Sequence, residues 1–390
     1  MSTTPRNIED LYGRARRRLP AMVADFLDGG ALDELTLRRN RDDLDATLLA
    51  QRVLADISTR STATTLLGTG LSVPLIVSPM GLLTLLHPDA DVAIARASAE
   101  AGSIFIHSPW SGCSLRDVVA VAPGRVWAQI AFWKAAHETE QHIEQARAAG
   151  VDTLVIAGDV GISSKRERDM RHGTAMPPRP PFRDVVDVAL HPGWLWRFAT
   201  GRPLTLGSYL IDGRAIRMSE IGDWLHGNEN PAATWADVEA VRRSWPGKLV
   251  VKGIMSPADA RRAVDAGVDG VFVSNHGGRQ FDDQQSTISA LPGVVDAVDG
   301  RAEIIVDGGV RRGSDIAKAL ALGAHGVSAG RPFAYGLAAA GGQGVRHAFE
   351  ILTGEFSTAM GMVGASSPAD LTRDVLAVES PSSDRSAVVR

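Results

Sequence analysis

From residue 71 onward the chain repeats one unit eight times: a short β-branched run, a loop with glycine or a polar residue, then an alanine-rich amphipathic stretch. The runs are Val73–Ser78, Ser103–Ser108, Val126–Ile130, Thr153–Asp159, Leu249–Gly253, Gly270–Asn275, Glu303–Gly308 and Gly326–Gly330. Short runs that stay apolar throughout suit parallel strands buried on both faces. Helical stretches follow at Asp89–Ala101, Ala135–Ala149, Pro257–Ala266, Ser314–Leu322 and Gly336–Leu352. Eight strands, each followed by a helix, is the number that closes an α/β fold of the TIM (β/α)8 barrel type. An open doubly wound sheet is the alternative, but it carries an early glycine-rich dinucleotide loop. Gly68-Thr69-Gly70 is too short for one and precedes a strand. A barrel takes roughly 250 residues. The 390 residues therefore divide into an N-terminal helical extension (1–70), the barrel (71–363) and a C-terminal tail (364–390).

Strand four ends near Asp159 and strand five begins near Leu249, so an insertion of about 173–232 leaves the barrel after strand four. It holds Pro177-Pro178-Arg179-Pro180-Pro181 and His191-Pro192-Gly193-Trp194-Leu195-Trp196-Arg197-Phe198. Long loops of this kind serve as lids or interaction segments, or are disordered. Net charge is −4, from 41 basic and 45 acidic side chains, without the basic excess of a nucleic-acid partner. The single cysteine, Cys113, excludes an internal disulfide framework and a cysteine-cluster metal site. The polar N-terminus lacks a secretory core and no run of eighteen apolar residues exists, which predicts a cytoplasmic protein without a resident metal.

Barrel chemistry sits at the C-terminal ends of the strands. Strand seven ends in Asp307-Gly308-Gly309 with Arg311 beyond, and strand eight in Gly330-Arg331. Glycines there let backbone N–H groups approach an anion and arginines add forked donors, so a phosphate-bearing ligand is expected. Taken singly, either glycine pair reads equally well as a plain turn. His276 stands at the end of strand six in Ser274-Asn275-His276-Gly277-Gly278-Arg279-Gln280, and Asp159 ends strand four. A carboxylate that orients an imidazole makes a general base. His137 and His142 read instead as a solvated helix surface.

Ser-Asn-His-Gly-Gly-Arg-Gln at 274–280, Asp-Gly-Gly-Val-Arg-Arg-Gly-Ser-Asp at 307–315 and Ala-Leu-Gly-Ala…Gly-Arg-Pro at 321–332 resemble the FMN-dependent 2-hydroxy acid oxidase/dehydrogenase family. Its members include glycolate oxidase, L-lactate dehydrogenase and mandelate dehydrogenase, and the resemblance runs from about Leu19 to about Val363. It implies FMN as cofactor, His276 as the base with Asp159 as its partner, and Arg166 and Arg279 on the substrate carboxylate. It places Lys252 beside the flavin pyrimidine edge. Pro79, Met80, Gly81, Ser108, Gln129, Ala157 and Ser274 fall where the family contacts the flavin ring or ribityl chain. Asp307, Gly308, Gly309, Arg311, Gly330 and Arg331 fall on the ribityl and phosphate site. The resemblance also implies a homo-oligomer, a tetramer, and oxygen or a quinone as electron acceptor.

The chain departs from the family at three positions. Phe26 and Ala131 stand where tyrosines are usual, and Ala157 where threonine is. The chain has only three tyrosines, Tyr12, Tyr209 and Tyr335, none at these positions. Losing two hydroxyls, with room left beside Ala131, predicts a bulky or aromatic, mandelate-like 2-hydroxy acid as the small-molecule substrate. The alternatives are the same flavin chemistry on a specialised substrate oxidised at C–OH or C–N, and a flavin-binding protein without catalysis. Gly81 also matches mandelate dehydrogenase-like members. The segment 184–210 resembles an insertion that can attach such enzymes peripherally to the inner face of the membrane, and reads equally as a packed active-site lid.

Overall fold

The computed structural model describes residues 4–173, 180–211, 214–217, 220 and 228–377. Pro177–Arg179 and the end of the C-terminal tail lie outside the described residues. The eight runs form strands β1 (Leu75–Val77), β2 (Phe105–His107), β3 (Val126–Ile130), β4 (Thr153–Ala157), β5 (Lys248–Ile254), β6 (Gly270–Val273), β7 (Glu303–Val306) and β8 (Gly326–Ala329). They pair in sequence order, all parallel, and β8 closes on β1.

Alternation along these strands sorts the apolar residues into two cores. Ile76, Ile106, Trp127, Val155, Val250, Phe272 and Ile305 fill the barrel, while their neighbours, such as Leu75, Phe105, Leu154 and Val271, pack outward. Leu66, Leu67 and Leu71 join the interior from an antiparallel hairpin, Thr64–Leu66 with Thr69–Leu71, and form its floor. The hairpin turn, Leu67-Gly68, has φ of 47° and 83°, the doubly positive pattern that suits two-residue hairpin loops. Gly68-Thr69-Gly70 is thus part of the plug of the barrel.

Three N-terminal helices, Ile8–Arg16, Ala21–Asp28 and Leu35–Ala46, precede the hairpin. The last barrel helix runs from Arg331 to Met362, well beyond the expected Gly336–Leu352, and breaks at Ala340-Gly341, where Gly341 has φ of 60°. The described residues of the insertion form two helices, Phe182–Ala189 and Pro192–Thr200, and a hairpin, Thr205–Ile211 with Arg214–Arg217. Gly207 donates to the Ser111 carbonyl at 2.8 Å and lies so near the chain that a Cβ there would stand 2.6 Å from the Cys113 carbonyl carbon. The hairpin is thereby docked on the loop after β2.

Candidate active site

Two residues beyond each inward-facing apolar side chain, the same alternation points Ser78, Ser108, Gln129, Ala157, Lys252, Ser274 and Asp307 into the C-terminal mouth. These coincide with positions singled out in the sequence, apart from Ser78, which was missed although Ile76 fixes its phase. A polar layer therefore lies directly on the apolar barrel core. Ser78 Oγ is 2.6 Å from Ser328 Oγ. Lys252, only 3% exposed, donates to Ser274 Oγ at 2.6 Å and pairs with Asp307 Oδ2 at 3.2 Å. Among the described residues, Gln129 Oε1 and Asp307 Oδ1 are buried without a protein partner. An orphaned buried acceptor costs about 1–3 kcal/mol, so the layer fits a ligand that brings its own donors.

At the neighbouring rim, Gly308 and Gly309 have φ of 97° and 78°, and their N–H groups donate to no protein acceptor among the described residues. Both also press on Asn40 of helix Leu35–Ala46, so close packing and a left-handed turn both require glycine there. The Arg311 guanidinium lies 5.6 Å from the centroid of the Tyr335 ring. The Arg331 side chain is committed elsewhere, donating to the carbonyls of Leu27, Gly277, Asp28 and Gly29. What Arg331 offers an anion is its position at the start of a helix, next to Gly330. A polar layer for a ring system and a glycine-lined anion end fit FMN. Pro79, Met80 and Gly81 continue β1 along this mouth, and Met80 Sδ would stand 3.1 Å from a Cβ on Gly330.

His276 follows β6 with φ of 58°, a left-handed conformation unusual for a residue with a Cβ. Its N–H donates to Ser274 Oγ at 3.1 Å and its Nδ1 lies 3.1 Å from Asp159 Oδ2. Burial acts to raise the Asp159 carboxyl, but the charge and hydrogen bond of His276 and the charge of Lys252 prevail and hold it below its ordinary value. With Nδ1 on the carboxylate, the acceptor nitrogen is Nε2. Arg279 lies 5.2 Å over the Phe26 ring and donates to the carbonyls of Phe26 and Gly29, each at 2.8 Å. Burial, with the charges of Arg166 and Arg331 adding to it, pushes Arg279 well below the ordinary arginine value. Burial also lowers Arg166, whose Nε has no protein partner among the described residues. Crowded guanidinium groups of this kind are a site for an anion.

Beside Ala131 the structure corrects the sequence reading: no room is left there. Ala131, 1% exposed, belongs to a cluster with Trp133, Leu206, Tyr209 and Ile216, against which Leu82, Trp110 and Val160 pack. Tyr209 arrives from the insertion and closes the space. His142 is corrected too: it is buried, its ring edge-on to Tyr209 at 4.5 Å, because the insertion covers that helix face. His137 is exposed as expected. Ala157 is buried within β4.

The two parts of the insertion differ in what they bury. Its helices and the turn between them expose apolar side chains, Phe182 (81%), Leu190 (73%) and Trp196 (71%) among them, whereas Trp194 is buried and donates to the Leu85 carbonyl. Its hairpin is packed inward. The first helix is held by His172, whose ring nitrogens lie 2.9 Å from both Asp184 and Asp25. Burial acts to lower His172, but the hydrogen bonds with Asp25 and Asp184 prevail and raise it. Among the described residues no helix is long and apolar enough to cross a membrane.

Comparison with known proteins adds the following. The family described as FMN-dependent dehydrogenase matches residues 15–378. L-lactate dehydrogenase of Pseudomonas aeruginosa (strain LESB58) is 39% identical over 372 residues, 95% of this chain and 97% of that protein. L-lactate dehydrogenase of Caulobacter sp. (strain K31) is 38% identical over 370 residues, 94% of this chain and 97% of that protein. Among solved structures, a monotopic membrane protein, (S)-mandelate dehydrogenase, superposes with a TM-score of 0.91 at 34% identity, covering 96% of this chain and all of that one. Mandelate oxidase gives a TM-score of 0.82 at 36% identity, covering 96% and 98%.

Proposed function

Because this chain belongs to the FMN-dependent dehydrogenase family and its barrel carries that family's flavin chemistry, we propose that it oxidises a 2-hydroxy acid with an apolar, aromatic substituent to the 2-oxo acid. The observation that carries this reading is the juxtaposition of the His276–Asp159 pair with the crowded guanidinium groups of Arg166 and Arg279. The arginines receive the substrate carboxylate; a hydrogen bond to a charged group is worth about 1.5–3 kcal/mol. His276 Nε2 takes the proton of the C2 hydroxyl, and Asp159 stabilises the imidazolium that results. Bound FMN would supply the acceptor for the C2 hydrogen with its bonding electron pair, which leaves the C2 carbonyl of the 2-oxo acid. Lys252 would hold the pyrimidine side of the ring, Asp307 the ribityl chain, and Gly308, Gly309 and the start of helix Arg331–Met362 the phosphate.

The aromatic preference rests on Trp110, Trp133 and Tyr209, together with Phe26 under Arg279. The exposed apolar helices, with a monotopic membrane relative, favour peripheral attachment to a membrane and a quinone as acceptor over oxygen. Anaerobic bleaching of the bound flavin across aliphatic and aromatic 2-hydroxy acids tests the substrate class. Mandelate is expected to bleach it faster than lactate, and bleaching by no 2-hydroxy acid refutes the proposal. Reoxidation by a quinone analogue in anionic vesicles should exceed reoxidation by oxygen.

A further inference from the structure

We propose that Tyr209, a residue of the insertion, is a specificity determinant of the substrate pocket. Its ring takes the place of one at position 131 and braces Trp110, which receives the substituent on the substrate's C2. The inference rests on the reading of the site as one for 2-hydroxy acids, and it gives the insertion's hairpin a task separate from that of the helices before it.

Tyr209 is fully buried, and its ring centroid lies 5.9 Å from that of Trp133 and 6.0 Å from that of Trp110; the two indoles are 5.6 Å apart. The ring cannot retreat. His142 stands edge-on behind it, and the hairpin is fixed by Gly207 on Ser111 and by Gln145 Nε2 on the Ser208 carbonyl at 3.0 Å. The Tyr209 hydroxyl interacts with Trp133, so the ring face remains for packing. Trp110 is pinned from the other side. The Leu82 N–H donates to its carbonyl at 3.0 Å, and a Cβ on Gly81 would stand 2.6 Å from the Trp110 Cβ. Trp110 is half-buried, so it is the member of the trio with surface to offer a ligand.

Topology sets where that surface lies. In a ring of eight strands, β2 is opposite β6, so Trp110 after β2 faces His276 after β6 across the mouth. Leu82 and Val160, which flank the trio, are one residue from Gly81 and Asp159. The wall thus spans the mouth from β1 to β4, with Trp110 opposite the base.

The test compares Tyr209→Phe, Tyr209→Ala and the double variant Ala131→Tyr/Tyr209→Ala in the FMN-loaded enzyme. The readouts are kcat and KM for mandelate and lactate, and Kd for phenylglyoxylate and pyruvate by calorimetry. Tyr209→Phe, which keeps the ring, should retain the preference for mandelate over lactate. Tyr209→Ala should raise the mandelate KM and the phenylglyoxylate Kd at least tenfold while moving the lactate and pyruvate values less than threefold. The double variant, which moves the ring back to position 131, should recover most of the aromatic affinity. Should Tyr209→Ala fail to fold, Tyr209→Leu carries the same comparison. Equal changes for aromatic and aliphatic ligands overturn this inference while the functional reading stands. A parent flavin that no 2-hydroxy acid reduces overturns both.

Discussion

Lys252 is the residue whose removal the structure predicts most sharply. Its ammonium is buried, 3.2 Å from Asp307 Oδ2 and bonded to Ser274 Oγ. Two unit charges at that distance attract by about 5 kcal/mol at an effective dielectric of about 20. Desolvation offsets much of this, so the pair itself stabilises little. Breaking it from one side is different, because Asp307 would remain buried and uncompensated, with Oδ1 already lacking a partner. Losing one member of a buried pair costs about 3–5 kcal/mol. Lys252→Met, which keeps the stem and removes the charge, should therefore lower stability by about that amount. Adding Asp307→Asn removes the stranded charge and should return most of the loss. Urea unfolding of the full chain, followed by far-UV circular dichroism, measures both variants against the parent. A Lys252→Met loss below about 1 kcal/mol, or a double variant no more stable than the single, refutes the reasoning.

Three further outcomes follow from particular contacts. Gly81→Ala places a Cβ 2.6 Å from that of Trp110, so the indole must shift; overpacking of this kind costs about 1–3 kcal/mol, and near-UV circular dichroism together with thermal unfolding should register it. An unchanged aromatic signal argues that Trp110 is not held as described. Asp159→Asn keeps the shape of the His276 contact but not its charge, and should slow flavin reduction by roughly 10- to 150-fold, the worth of a charged hydrogen bond. His172, raised in the folded state, contributes stability that is fully present below the ordinary value of 6.5 and is lost as pH rises through the folded value. The destabilisation caused by His172→Asn should be larger at pH 5.5 than at pH 9; equal losses at both would show that its charge plays no part.

The barrel was legible because its signal is local. Each strand is a short continuous apolar run, so the residues at its end can be named from position alone, as Lys252, Ser274 and Asp307 were, while Gln129 was reached through the family resemblance. The motif around His276 works in the same way. The substrate wall was not legible, because Tyr209 and Ala131 meet only after an excursion of about eighty residues folds back, and no spacing along the chain announces that contact. His142 was misread for the same reason: its helix looks polar on the face that the hairpin covers. The Arg331 side chain, expected on an anion, instead ties the Ala21–Asp28 segment to the His276 loop, a choice set by carbonyls contributed from residues far away in sequence. The floor hairpin carried a readable signal in Leu67-Gly68 between two threonine-leucine runs.

That floor has a kinetic consequence. With Leu66, Leu67 and Leu71 stopping the lower end, the described barrel is a cup with one open rim, and hydroxy acid, oxo acid, proton and electron acceptor share a single doorway. Traffic through it must alternate. A reduced enzyme still holding its product keeps an acceptor of any bulk waiting, so initial-rate plots in the two substrates should be parallel, and excess hydroxy acid should inhibit by occupying the rim in the acceptor's turn.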